Sequence, residues 1–176
     1  MINLMSRVRV INTSIFLLAV FIIQEILISR IDFPINGYSL YISTLLVVLA
    51  LENRSGSLVF GFIGGLIMDL SVAADSPFGQ WALVMTIMGY LFSINKESIG
   101  DFTDTPLAFI GFIAIASALT LLIFAIIGNL LGQELGGVVR NVSIIFTNTL
   151  WGILIMPIFL PIIFRVRKAL LTSREK

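Results

Sequence analysis

Apolar positions along this chain fall into long blocks, not into the alternation of a half-buried strand or the narrow stripe of a surface helix. The blocks are Val10–Ser29, Tyr38–Leu51, Ser57 to Ala74, Pro77–Ile94, Pro106–Leu131 and Val142–Phe164. A helix crosses a bilayer core with about 20 apolar residues. The pattern therefore predicts an all-α, polytopic membrane protein, with six transmembrane helices in one bundle and a single domain over residues 1–176. The second block is short, and the fifth is long enough to tilt.

Polar breaks between blocks are brief and carry helix signals. In "DSPFG", Ser76 suits an N-cap and Pro77 the first helical position, so the fourth helix is expected to open there. "TDTP" repeats the device, with Thr105 as cap and Pro106 as opener. Pro157 and Pro161 are expected to kink the sixth helix near its inner end. Arg7 and Arg9 precede the first block, as in a secretory signal. That block is long, however, and "QEILISRIDF" has no small-x-small cleavage site, so it is read as a retained span.

Composition agrees with the blocks. Hydrophobic residues make up 58% of the chain and charged residues 12%. Soluble domains run at about 45–50% and about 25%. A soluble surface could not be covered with so few polar groups, so the apolar side chains must face lipid. Cysteine and histidine are absent, which removes disulfides, thiol chemistry and the commonest general base and metal ligand.

Placement of the basic residues predicts orientation. With the N-terminus inside, the inner segments hold Arg7, Arg9, Arg54, Lys96, Arg165, Arg167, Lys168, Arg174 and Lys176. The outer ones hold only Arg30 and Arg140. Both termini are therefore expected in the cytoplasm, and the basic tail "RVRKALLTSREK" against anionic lipid. The connections leave no room for a soluble enzymatic or nucleotide-binding head.

Polar side chains inside the blocks are the candidate chemistry. At about 1.5 Å per residue, Glu25 lies roughly 22 Å and Asp69 roughly 18 Å above the inner face. Asn148 reaches a similar level from outside, near Gln24, Thr86 and Thr147. Gln24, Glu25, Asp69 and Asn148 thus form a candidate polar pocket in the outer half of the membrane. A carboxylate at that depth costs about 2.5–3.5 kcal/mol or more. Asp69 either faces the bundle interior, bonded across a helix contact, or caps or wets a turn where its helix already leaves the hydrocarbon. Glu25 either faces inward or snorkels toward Arg30.

Gly61, Gly65 and Asp69 follow one another at i, i+4 on one stripe of the third helix. Gly61-x-x-x-Gly65 lets another backbone approach closely. The glycines would bring in a neighbour, and the aspartate would be satisfied across that contact. Internal packing is a commoner use of this pattern than dimerisation. Trp81, Tyr38, Tyr41, Tyr90 and Trp151 lie near block ends, as interfacial anchors do. No HExxH, GxSxG or P-loop motif is present. No catalytic residue, metal site or cofactor is expected, and no nucleic-acid partner.

From Phe21 to Leu91 the chain resembles the rod shape-determining MreD family. That family shows a glutamine in the first span, then "GfxxGLxxDlxsxspxGxxAL". The matching residues are Gln24, Gly61, Phe62, Gly65, Leu66, Asp69, Leu70, Ser76, Pro77, Gly79, Ala82 and Leu83, followed by Gly89–Tyr90. "TNTLWGILIMPIFLPIIFRVRK" is similar to the family's last span and basic tail. Where many relatives open the second span with Pro-Asp, this chain has Tyr38-Ser39. The resemblance implies a non-enzymatic component of the bacterial elongation complex in the inner membrane, needed for rod shape and lateral peptidoglycan synthesis. Its implied partners are MreC, MreB and RodA with its penicillin-binding protein. It also implies roles in helix packing or partner binding for Gly61, Gly65, Asp69, Pro77 and Gly79. The implied fold is similar to the substrate-binding subunits of energy-coupling-factor transporters, six-helix bundles with an outward-facing pocket. The alternative function is therefore a small-molecule-binding subunit of a vitamin transporter. Such subunits share an Ala-x-x-x-Ala pattern on the first helix, where this chain has a lone Ala19.

Overall fold

A computed structural model describes residues 4–28, 39–71, 76–103, 105–133 and 137–172. All regular structure among them is helical. In chain order the elements are α1 (Leu4–Ile23), α2 (Leu40–Leu51), α3 (Arg54–Asp69), α4 (Gln80–Ile94), α5 (Lys96–Thr103), α6 (Pro106–Leu130) and α7 (Val138–Thr172). A π-helical turn, Gln24–Ile28, extends α1.

Three of these helices are long and apolar enough to cross a membrane: Val8–Ile26, Pro106–Leu130 and Val139–Val166. α2 and α4 are shorter apolar helices. Isoleucines and other large apolar side chains stand exposed along the three long helices, among them Ile11 and Ile15 on α1, Ile115 and Ile126 on α6, and Phe146 and Ile158 on α7. Such a surface suits lipid and not water.

α2 is the centre. Every residue from Leu40 to Ala50 is buried, and α1, α3, α4, α6 and α7 all pack against it. A helix apolar all round is one enclosed by others. Around it stand two antiparallel pairs, α3 with α4 and α6 with α7, the two largest helix contacts in the fold. Phe109 meets Phe164 and Ser117 meets Asn148 across the α6–α7 pair. Phe92 on α4 meets Phe112 on α6, and Trp81 stacks on Phe124 with ring centroids 4.1 Å apart.

Several boundaries differ from those read in the sequence. α4 opens at Gln80, three residues after Pro77. Its N-cap is Gly79, in the left-handed region at φ 94°. The Ser76 hydroxyl caps nothing and has no hydrogen-bond partner. At α6 the reading matches in position, with Thr105 at the cap and Pro106 in the first turn, but Thr105 makes no side-chain cap bond. α5 lies within the stretch read as a plain connection; its Ile99 is anchored deeply, at 3% exposure. α7 begins at Val138, before the block read as the sixth span, and continues through Pro157 and Pro161 to Thr172. The ends of the first and third spans (Ser29, Ala74), Tyr38, Arg30 and the last residues of the basic tail lie outside the described residues.

Candidate functional site

Where a helix stops, four backbone N–H groups at its start and four carbonyls at its end lose their partners. In a bilayer interior no water replaces them. α2 has 12 residues, about 18 Å of helix, well under the ~30 Å of a hydrocarbon core. With every residue from Leu40 to Ala50 buried, its ends need partners from the protein, and its own cap and neighbouring helices supply them.

At the start of α2, Ser39 Oγ accepts the Ile42 N–H at 3.2 Å. Gln24 Oε1, on the π turn of α1, accepts the Leu40 N–H at 2.8 Å. At its end, Lys96 Nζ donates to the carbonyls of Leu49 and Ala50 at 3.0 and 2.6 Å. Ser57 Oγ also donates to Leu49 O at 2.8 Å. A cation at a helix C-terminus is favoured by the macrodipole as well.

α4 is started by the same device. Its cap residue, Gly79, has no side chain to accept a bond. Asp69, the last residue of α3, does the work from across the contact. Oδ1 accepts the Trp81 N–H and Oδ2 the Ala82 N–H, both at 3.0 Å. The other first-turn groups are satisfied locally, Gln80 N–H by Pro77 O and Leu83 N–H by Gly79 O. A carboxylate at a helix N-terminus gains from both the hydrogen bonds and the dipole.

Glycine sets the distance at which this can happen. A Cβ on Gly61 would lie 2.4 Å from Met85 O, and one on Gly65 would lie 2.5 Å from both Ala82 Cα and Trp81 O. From the other side, a Cβ on Gly89 would lie 2.5 Å from Ser57 O. α3 and α4 thus touch backbone to backbone along Ser57, Gly61 and Gly65, and Asp69 continues the stripe as the bonding group. Gly64 faces elsewhere: a Cβ there would strike the Leu45 side chain of α2. Its carbonyl accepts the Tyr41 hydroxyl at 2.9 Å. Gly79 belongs to no close approach, since nothing lies within 4 Å of its missing Cβ. Its positive φ is what calls for glycine.

The four residues read as an outer polar pocket bond to different elements. Gln24 holds the start of α2 and Asp69 the start of α4. Glu25 Oε1 accepts the Ser71 hydroxyl, just past α3, at 3.1 Å. Asn148, 1% exposed, lies apart on α7, where its Oδ1 accepts the Ser117 hydroxyl at 2.9 Å. The first three do form a connected set. Gln24 and Glu25 are adjacent, and Glu25 reaches Ser71, two residues beyond Asp69. Polar contacts therefore run from α2 through α1 and the end of α3 to α4.

Two further polar features carry no signal in the local sequence. Gln80 is 2% exposed; its Nε2 donates to Phe124 O at 3.1 Å while Oε1 has no partner. At the opposite end, Glu52 is buried and pairs with Arg9 of α1. Gly56 leaves room for that carboxylate, since a Cβ there would lie 3.1 Å from Glu52 Oε2. Arg54 and Glu97 pair nearby at 3.0 Å, in the open. The Arg9–Glu52 partners are 43 residues apart, so no local signal joins them. Among the described residues, no group of three or more Asp or Glu side chains could hold a metal ion.

In comparisons with known proteins, no family model, no curated protein and no solved structure matches the chain.

Proposed function

We propose that this chain is a non-enzymatic component of the bacterial elongation machinery, of the MreD type. In this reading it crosses the cytoplasmic membrane six times, through α1, α2, α3, α4, α6 and α7, with both termini inside. It acts by binding MreC and standing with MreB and RodA with its penicillin-binding protein. Its bundle has the architecture of energy-coupling-factor substrate-binding subunits.

One observation supports the reading more than any other. Several of the residues that carry the resemblance meet in a single joint. Gly61 and Gly65 lie against α4, Asp69 caps α4 at Trp81 and Ala82, Gly79 supplies the left-handed turn, and Gly89 returns the contact on Ser57. Residues scattered over nearly 30 positions are thus parts of one mechanical element, as expected for the signature of a fold. The alternation of polar ends also supports six crossings. Arg9 with Glu52, Lys96 with the last carbonyls of α2, and Arg54 with Glu97 gather at one end. Gln24, Glu25 and Asp69 gather at the other.

The joint also refines the role of the stripe. Gly61 and Gly65 are in contact with α4 of the same chain, so a partner helix would have to use another face. MreC is then expected to bind through surfaces such as the exposed isoleucines of α1 or the outer faces of α6 and α7. The test is complementation of rod shape in cells lacking the endogenous protein, with capture of MreC as a second readout. The wild-type chain is expected to restore shape and retain MreC. Full expression with neither effect would refute the reading.

A further inference from the structure

α1 is attached differently from the other long helices. Only 6% of its membrane-length window is buried, against 33% for α6 and 22% for α7. Its fully buried side chains are few. Leu17 and Val20 are enclosed, Val10, Phe16 and Phe21 are partly buried against the core, and Phe21 sets its ring edge-on to Tyr41 of α2 at 5.5 Å. What α1 has instead is a polar clamp at each end. At the inner end Arg9 pairs with buried Glu52 at the α2–α3 corner. At the outer end Gln24 holds the Leu40 N–H and Glu25 the Ser71 hydroxyl. Consecutive residues on an α-helix point about 100° apart; here both lie in a π turn, a feature concentrated at functional positions in helices.

In lipid there is little hydrophobic drive between helices, because acyl chains are as apolar as leucine. Moving an apolar helix away from an apolar neighbour exchanges one oily contact for another. With so little of α1 fully buried, the clamps carry a large share of what holds the helix in place, beside its packing. We infer that α1 is a strap over α2 and α3, held shut by the Arg9–Glu52 pair and by the Gln24–Leu40 and Glu25–Ser71 bonds, and able to swing into the bilayer when they release. The surface uncovered around Tyr41 then meets lipid acyl chains. α1 also packs on α3 and α7, but the bonds and close approaches that join α3 to α4 and the Ser117–Asn148 bond of the α6–α7 pair include no α1 residue, so the rest of the bundle stays assembled. This inference requires only that the chain lies in a bilayer, and it stands apart from the elongation reading.

The chain has no cysteine, so spin labels can be placed without background. One labelled pair, Ile15→Cys on α1 with Ile115→Cys on α6, reports the strap; both positions are exposed. A second pair, Phe62→Cys on α3 with Tyr90→Cys on α4, reports the joint. Distances are measured by double electron–electron resonance in lipid nanodiscs. Three backgrounds are compared: R9M/E52Q, Q24A/E25A and the four substitutions combined. Intramembrane hydrogen bonds are weak, so each lost bond should shift the open-to-closed ratio by roughly three- to fifteenfold. The expected result is a longer Ile15–Ile115 distance that grows in each clamp variant and dominates in the combined one, with Phe62–Tyr90 unchanged throughout. An unchanged Ile15–Ile115 distribution in the combined variant would overturn the inference. So would a simultaneous loss of the Phe62–Tyr90 distance, which would make α1 an integral part of the bundle and not a strap.

Discussion

Asp69 and Ala82 meet across the α3–α4 contact, with the carboxylate Oδ2 3.0 Å from the backbone nitrogen. One turn back on α3, Gly65 lies against the Cα of the same alanine. Bond and close approach depend on each other. A side chain at Gly65 would push α4 out of reach of Asp69, and without Asp69 the N–H groups of Trp81 and Ala82 would lose the acceptors they have across the contact.

Asp69→Ala should destabilise the protein by about 0.5–2 kcal/mol, the usual worth of an N-cap. Asp69→Asn should fall between it and wild type, because the amide keeps one acceptor oxygen and loses the charge. Reversible unfolding in mixed micelles measures both.

Glycine substitutions should rank by what the new Cβ meets. Gly61→Ala and Gly65→Ala strike backbone, which cannot turn aside, and should cost about 1–3 kcal/mol or more. Gly64→Ala meets the end of a leucine side chain and should cost less. Gly111→Ala, with nothing within 4 Å, should be neutral or slightly stabilising. Thermal stability of the four variants in one detergent checks the order.

This ranking shows what the sequence could and could not tell. The spacing Gly61, Gly65, Asp69 is legible because a helix puts i and i+4 on one side. A partner across that contact is one of the two readings that the cost of a charge at bilayer depth leaves open. The start of α4 was misread because Ser76-Pro77 is a strong local signal, while the actual cap comes from Asp69, eleven residues before the first helical residue. Glu52 went unnoticed for the same reason. It follows a long apolar block and looks like a surface residue until α1 brings Arg9 to it. The two readings left open for Asp69 turn out to share a physical content. α3 does end there, and the carboxylate does cap, but it caps the neighbouring helix.

Lys96→Met should weaken the end of α2 without touching α3 or α4. It removes two charge-assisted bonds to Leu49 O and Ala50 O, each worth about 1.5–3 kcal/mol at most. Ser57 still serves Leu49, so the loss should lie near the low end. Backbone hydrogen exchange should rise along the last turn of α2 and stay unchanged at Trp81.

Gln80→Leu should be nearly neutral or stabilising. It removes a buried oxygen that has no partner and replaces it with an apolar group of similar size. The bond to Phe124 O is the only described hydrogen bond of its side chain, and a helical carbonyl tolerates its loss. Equilibrium unfolding beside wild type checks this. A loss comparable to that of Asp69→Ala would mean that the oxygen is engaged.

The central claim is that Asp69 holds the start of α4 from across the glycine contact. The measurement that tests it most directly is amide exchange at Trp81 and Ala82, read by NMR in lipid nanodiscs for wild type and Asp69→Ala. Both amides should be slow in wild type and become fast in the variant, with the change confined to the first turn of α4. Equal protection in the two proteins would contradict the claim, because those N–H groups would then have some other partner.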